Sequence, residues 1–540
     1  MDQESTVSHL SHSVVKDEKV TEINDEAQSQ LDQLEQQAGT RRRWWEYQFP
    51  SPTWATYTLA MFGSCGGLLS GVDQSLISGA NLYMPKELNL TDHQASLVSS
   101  GVPLGAIAGS LMISPLNEWF GRRISVLISC VLYTVGAALE AGAVNYGIMI
   151  SGRIILGAGL GLEGGTVPMY VAECVPSSVR GRLVSLYQFC IALGEVLGYA
   201  IAAMFVSVPG NWRYMLGSSL VFSTIMFIGV VFLPESPRWL MHKKREVDSW
   251  KVWKNLRGFD TEMSKLEFLE MRHTALYEIT TENQKEKRMA WLDFFRVGRA
   301  RRALIYCNIM MFLGQLTGIN GIMYYMSTLM TQIGFSDKNA VFMSLVGGGS
   351  LLIGTIPAIL YMDRMGRRTW AIFTLPGFFI GLVLVGISGR LTKLQAVEGT
   401  YLTGLILYQV FFGSYACLSW VLPSESYPTY LRSYGMTTSS ASIFLWSFVV
   451  TYNFTSMQKA MTTTGLLLGF YGGIAVIGWI YQVLCMPETK NKTLEEIDDI
   501  FSMPTRQLIR YNVKSTMKTI GDIAHFRIRD AFEHNDLQLY

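Results

Sequence analysis

The chain has 540 residues, of which 49% are hydrophobic and only 16% charged, with a formal net charge of +2. That balance is too apolar for an ordinary soluble enzyme of this length and too near neutrality for a nucleic-acid-binding surface. Its seven cysteines form neither CxxC pairs nor clusters with histidine, so no structural disulfide, metal or other cofactor is expected.

The first 49 residues are polar and acid-rich and lack an apolar core, so 1–49 is expected to be a disordered cytoplasmic tail with no cleavable leader. Apolar blocks of about 20 residues then recur, each long enough to cross roughly 30 Å of hydrocarbon at 1.5 Å per residue. Twelve spans are expected, over 56–80, 95–116, 124–144, 147–169, 184–206, 213–233, 304–333, 340–361, 370–389, 401–423, 435–456 and 464–486. The polar stretch 235–302 separates them into an N-terminal bundle, 50–234, and a C-terminal bundle, 303–487, and 488–540 forms a second tail. The expected class is therefore an all-α membrane protein with two pseudo-symmetric six-helix bundles and a helical cytoplasmic linker.

Arg41-Arg42-Arg43, Arg122-Arg123, Arg180, Arg182, Lys243-Lys244-Arg245 and Arg367-Arg368 fall before the first span or in alternate connections. By the positive-inside rule both termini are cytoplasmic. Asn89-Leu90-Thr91 then lies in the first outward loop as a glycosylation acceptor. Asn453-Phe454-Thr455 is close to the bilayer, and Asn491-Lys492-Thr493 is cytoplasmic and unused.

The first span carries a carboxylate, Asp73, where hydrocarbon should exclude one. Such a group costs several kcal/mol unless paired, hydrated or protonated, and marks a functional site by default. Glu163 in the fourth span and Glu195 in the fifth are two further intramembrane acids. The chain also repeats at half length: Gly121-Arg122-Arg123 recurs as Gly366-Arg367-Arg368, Glu173 with Arg180 and Arg182 as Glu425 with Arg432, and Pro234-Glu235-Ser236 as Pro487-Glu488-Thr489. Internal repeats of this kind are typical of secondary transporters.

The run Asn117 to Arg123, Pro168 to Glu173, Pro234 to Leu240, Gly314 to Asn320, Asp363 to Arg368 and Pro487 to Lys490 together resemble the sugar porter family of the major facilitator superfamily, over about residues 50 to 500. The resemblance implies alternating access between two bundles. It also implies a cytoplasmic gate made from Glu118, Arg122, Arg123, Glu173, Arg180, Arg182, Glu235, Arg238, Asp363, Arg364, Arg367, Arg368, Glu425, Arg432 and Glu488. Proton-coupled members are similar in pairing an aspartate at the position of Asp73 with an arginine at that of Arg153. Gln188, Glu195, Gln315, Asn320, Tyr324 and Trp420 resemble the family's substrate-binding positions. Amides suit a polyol because each offers donors and an acceptor, and an indole offers an apolar face to pyranose C–H groups.

Some positions depart from the family pattern. Gly314 replaces the first of two glutamines, and the tenth span lacks the family's proline-rich segment, which leaves its hinge without an obvious source. A buried carboxylate at Glu195 disfavours an anionic substrate and suits a neutral one. The expected function is proton-coupled import of a neutral monosaccharide, with hexoses such as fructose first. Myo-inositol or another polyol is the alternative, as is facilitated diffusion. A non-transporting sugar receptor is the reading from a different class, and no catalytic constellation indicates an enzyme. The expected partners are the sugar or polyol, a proton and the lipid bilayer of the plasma membrane, with no nucleic acid.

Overall fold

The computed structural model describes residues 25–38, 52–175, 180–257, 264–272, 290–428, 431–490 and 500–525, with 275 and 497 as single positions. Nine helices among them are long and apolar enough to cross a membrane, and the pair Asp92–Leu111 and Ile113–Trp119, bent by 45°, makes a tenth crossing. Two more helices are as long but more polar. Pro52–Ala80 carries Asp73 and Gln74, and Arg432–Thr464 opens with a serine and threonine stretch from Thr437 to Ser440. These account for the twelve expected spans.

In chain order the spans are Pro52–Ala80; Asp92–Leu111 with Ile113–Trp119; Arg122–Ala141; Tyr146–Cys174; Arg180–Phe205; Asn211–Gly217 with Ser219–Val231; Gly298–Gln315 continued by Ile319–Tyr324 and Met326–Gln332; Asp337–Met365; Arg367–Ser388; Leu394–Ala416 with Leu418–Ser426; Arg432–Thr464; and Gly465–Tyr471 with Gly472–Cys485. Ile225, Ile353, Phe373 and Ile477 are more than half exposed. Facing water, such an apolar surface would drive aggregation, whereas facing lipid it costs nothing.

Between spans, small residues do what apolar burial cannot, because lipid is as apolar as leucine. On the second and fourth spans a Cβ at Gly105 would run into the Ile154 carbonyl, and one at Gly161 into that of Ala106. The glycine-rich run Gly157 to Gly161 is thus a packing surface.

The seventh span departs from the single run expected over 304–333. It breaks at Leu316 to Gly318, where Gly318 takes φ +89° and the Tyr471 ring occupies the place a Cβ would need. A second break falls at Tyr325. The tenth span is interrupted only at Cys417, which keeps helical φ −57° and ψ −32°, so Leu394 to Ser426 runs on as one span. Trp420 sits in the short piece beyond Cys417.

The chain forms two compact units, Met1–Tyr57 with Pro234–Arg288, and Thr58–Leu233 with Met289–Tyr540. In the smaller, within the stretch 1–49 expected to be disordered, Asp25–Ala38 is instead helical, and the rest of that stretch lies outside the described residues. Leu31 and Leu34, three residues apart, bury against Trp250, Trp253 and Phe268, and Trp250 meets Phe268 edge-on with ring centroids 5.0 Å apart. Two leucines among glutamines and acids are invisible to composition, but they make one apolar stripe on a helix. Within this unit the helix Pro237–His242 begins with proline and is capped by Ser236, whose hydroxyl accepts from Trp239 N at 3.3 Å. In the larger unit, a terminal helix Thr505–Ala524 packs along the twelfth span.

Candidate functional site

Asp73 and Arg153 meet in the interior of the N-terminal spans. Arg153 Nη1 donates to Asp73 Oδ1 at 2.7 Å, its Nε donates to the Val98 carbonyl at 3.1 Å, and both residues are buried. A Cβ at Gly101 would come within 2.8 Å of Arg153 Cβ, so a glycine lets the second span lie against the stem of Arg153. Sequence reasoning missed a third member. Glu140, at the end of the third span, is 1% exposed and its Oε2 lies 3.4 Å from the same Nη1. The signal is an acid in the last turn of an apolar run, which resembles an ordinary helix-end charge until its partner is known.

The expected substrate groups fall into two sets. In the first, Trp420 Nε1 donates to Gln188 Oε1 at 3.0 Å, and Tyr187 meets Trp420 edge-on at 5.0 Å. Fifth and tenth spans are thereby joined. In the second, Asn320 Nδ2 donates to Gln315 Oε1, while Gln74 Nε2 donates to Asn320 Oδ1 at 3.0 Å. Tyr324 is buried beside it and its carbonyl accepts from Asn81 Nδ2 at 3.2 Å. Amides expected to face a polyol are here satisfied by one another across the two halves.

Glu195 is 3% exposed and its Oε2 has no hydrogen-bond partner. Glu163 is equally buried, with Oε1 unpartnered; a Cβ at Gly66 would overlap its carboxylate, so the first span needs glycine there. The missing glutamine at Gly314 leaves room flanked by Tyr415, whose ring carbon Cε1 lies 3.7 Å from a Cβ built at Gly314. A cavity of about 160 Å³ lies away from these groups, toward the other end of the first span, lined by Asn81, Asp92, Ser96, Tyr325 and Gln458. It is separated from them by contacts between the first and seventh spans, where Ser78 Oγ donates to Ser327 Oγ at 3.2 Å and accepts from Ser327 N at 3.0 Å.

The family model described as "Sugar (and other) transporter" matches residues 52–501. The chain belongs to that family. As a sugar transporter family member it is 62% identical over 503 residues to a protein named myo-inositol transporter in Gibberella moniliformis, covering 92% of this chain and 88% of the other. It is 31% identical to the glucose transporter GlcP of Staphylococcus epidermidis over 82% of this chain and 96% of the relative. Among solved structures it resembles the proton:xylose symporter XylE bound to 6-bromo-6-deoxy-D-glucose, with a TM-score of 0.74, 25% identity and coverage of 84% and 100%. The inward-open conformation of XylE from E. coli superposes less well, with a TM-score of 0.65, 24% identity and coverage of 82% and 99%.

In this sugar transporter family member the described gate residues of the larger unit gather at the end opposite the cavity. Arg122 Nη2 meets Glu173 Oε1 at 2.7 Å, and Arg367 Nη2 meets Glu425 Oε1 at 3.0 Å, one pair in each half. Arg123 donates to the Val231 carbonyl, and Arg368 to the carbonyls of Val483 and Asn512 at 2.9 and 3.0 Å. Glu488 does not grip a guanidinium. Its carboxylate accepts from the backbone N–H of Arg367 at 2.9 Å and of Arg368 at 3.1 Å, capping the ninth span where the helix dipole favours an anion. Glu118 and Arg432 lie at the same end. Glu235, whose carboxylate accepts from Ser236 N at 2.9 Å, and Arg238 belong to the smaller unit. The side chains of Arg180, Arg182, Asp363 and Arg364 lie outside the described residues.

Asn89 is exposed in a turn with φ +51°, and Thr91 of its sequon caps the second span, its hydroxyl accepting from Gln94 N at 3.3 Å. Asn453 lies inside the eleventh span and donates to the Val449 carbonyl at 2.8 Å. Asn491 lies outside the described residues.

Proposed function

We propose that the chain is a proton-coupled importer of a neutral polyol, myo-inositol first, working by alternating access at the plasma membrane with both termini cytoplasmic. The substrate order reverses the one expected from sequence, where hexoses came first, because the relative matched at 62% identity is named for myo-inositol. Coupling rests on one observation, the buried Asp73–Arg153 pair at 2.7 Å. Protonating Asp73 releases Arg153 and lets the N-terminal spans rearrange around bound substrate. Gln188, Glu195, Gln315, Asn320, Tyr324 and Trp420 bind the hydroxyls and ring, and the end-capping Arg and Glu pairs open to release them.

The driving force suffices. One proton moving down about 100 mV and one pH unit supplies about 3.7 kcal/mol, enough for accumulation of several hundredfold. The test is uptake of radiolabelled myo-inositol, hexoses and pentoses in a transport-null host, with and without a protonophore. Inositol accumulation abolished by the protonophore and lost in Asp73→Asn is expected. Uptake indifferent to the protonophore identifies facilitated diffusion instead, and surface expression without any uptake identifies a receptor.

A further inference from the structure

Arg153 is shared by two carboxylates, and the coupling reading uses only one of them. Glu140 and Asp73 approach the same Nη1, at 3.4 and 2.7 Å, from the third and first spans. Gly152, beside Arg153 on the fourth span, admits Glu140: a Cβ there would come within 3.0 Å of Glu140 Cγ. Asp73 Oδ2, Glu140 Oε1 and Arg153 Nη2 are each buried without a hydrogen-bond partner, so the cluster has unused donor and acceptor capacity. One guanidinium with two ionised carboxylates leaves an uncompensated negative charge away from water, which is expensive. Holding a single proton on either acid removes that charge.

We propose that Glu140 is a second proton-accepting carboxylate of the coupling site, so that Arg153 exchanges between Asp73 and Glu140 as one proton occupies the other acid. When the proton sits on Asp73, Arg153 keeps an anionic partner in Glu140; when it moves to Glu140, Arg153 returns to Asp73. The transfer is one proton between two carboxylates, with no change in the charge of the cluster. Release of that proton leaves both acids ionised with a single guanidinium between them, the costly state.

Other titratable groups surround the cluster, among them Glu195 on the fifth span, whose backbone packs against Gly71 of the first. Tyr133, one helical face down the third span, donates its hydroxyl to the Leu69 carbonyl at 3.1 Å. Tyr324 of the seventh span is buried, and its carbonyl accepts from Asn81 Nδ2 at 3.2 Å. Arg213, packed past the end of the third span, is held by Glu87 and by the Ala143 carbonyl at 3.0 Å. Glu163 is ten residues beyond Arg153, about 15 Å along the helix. Asp92, at the start of the second span, pairs with Lys459. The helix Ser219–Val231 carries no charged residue.

This inference rests on proton coupling at Asp73, and the experiment separates the two. Substrate uptake into proteoliposomes is measured across external pH for the wild type, Glu140→Gln and Glu140→Asp, normalised to protein incorporated. Removing the charge should move the midpoint of the pH dependence toward acid by about one unit or more, and the aspartate variant should return it toward the wild-type position. Coincident profiles for wild type and Glu140→Gln overturn the inference while leaving coupling intact. Equal loss of uptake at every pH in both variants also overturns it, reducing Glu140 to a packing residue. A wild-type rate independent of pH overturns the coupling reading itself.

Discussion

At the scale of single residues, the interior acids set the chemistry. Glu195 has no ionic partner among the described residues, and its orphaned oxygen suits an acceptor for a substrate hydroxyl. Glu195→Gln keeps the shape and a neutral acceptor, so the expected cost is about 1 kcal/mol, the difference between a charged and a neutral hydrogen bond. That appears as a fivefold to tenfold rise in KM at unchanged maximal rate; an unchanged KM removes Glu195 from the substrate site. Outside the spans, Glu87 behaves oppositely. Hydrogen bonds from Trp212 Nε1 and then Arg213 hold its carboxyl below the usual carboxylate range. A depressed folded value stabilises above the unfolded value of about 4.3 and is lost as pH falls through the folded one. Glu87→Gln should therefore lower thermal stability slightly at neutral pH, by under about 1 kcal/mol given its exposure. It should also flatten the loss of stability below about pH 4. Asp73, Glu195 and Arg153 were legible because a charge in an apolar run stands out. Glu140 was not, because an acid near a helix end resembles a topology signal until its partner is known.

At the scale of elements, composition and length located twelve spans with ends within eight residues of the observed helices, whereas the breaks inside them were hidden. Nothing in the hydropathy of 304–333 announces that Tyr471 presses on Gly318, since that contact comes from a span some 150 residues later. The polar first and eleventh spans are the reverse case. They are more polar than the other ten, yet each still holds an apolar block long enough to cross the bilayer. Close packing gives a direct test: Gly161→Val places its branched side chain against the Ala106 carbonyl, and folded protein at the membrane should be largely lost. The terminal helix Thr505–Ala524 also escaped notice, since the tail shows no motif. Asn512 ties it down, donating to the carbonyls of Leu484 at 2.8 Å and Met486 at 3.1 Å. Asn512→Ala leaves these acceptors unmatched at a cost of about 1–3 kcal/mol. The expected readout is faster proteolysis after residue 490, with transport at saturating substrate little changed.

At the scale of the whole molecule, the two halves are recorded twice in the sequence, through their repeated motifs, but the contacts that set the conformational state are recorded nowhere in it. Gln74 with Asn320, Ser78 with Ser327 and Asn81 with Tyr324 close the first span against the seventh. Toward the other end, Trp420 of the tenth span holds Gln188 of the fifth. Both sets bridge the halves, so the structure is closed around its polar core. Each contact is neutral and worth roughly 0.5–1.5 kcal/mol net, weak enough to break in every cycle. Ser78 and Ser327 have hydroxyls 3.2 Å apart and lie below the cavity at Asn81 and Tyr325. Replacing both with cysteine puts two thiols within reach of a disulfide where the halves must part. Oxidation of Ser78→Cys/Ser327→Cys should abolish uptake, and reduction should restore it, whereas either single variant keeps transport under both conditions. Uptake that continues in the fully oxidised double variant would mean that the first and seventh spans need not separate, and that substrate enters by another path.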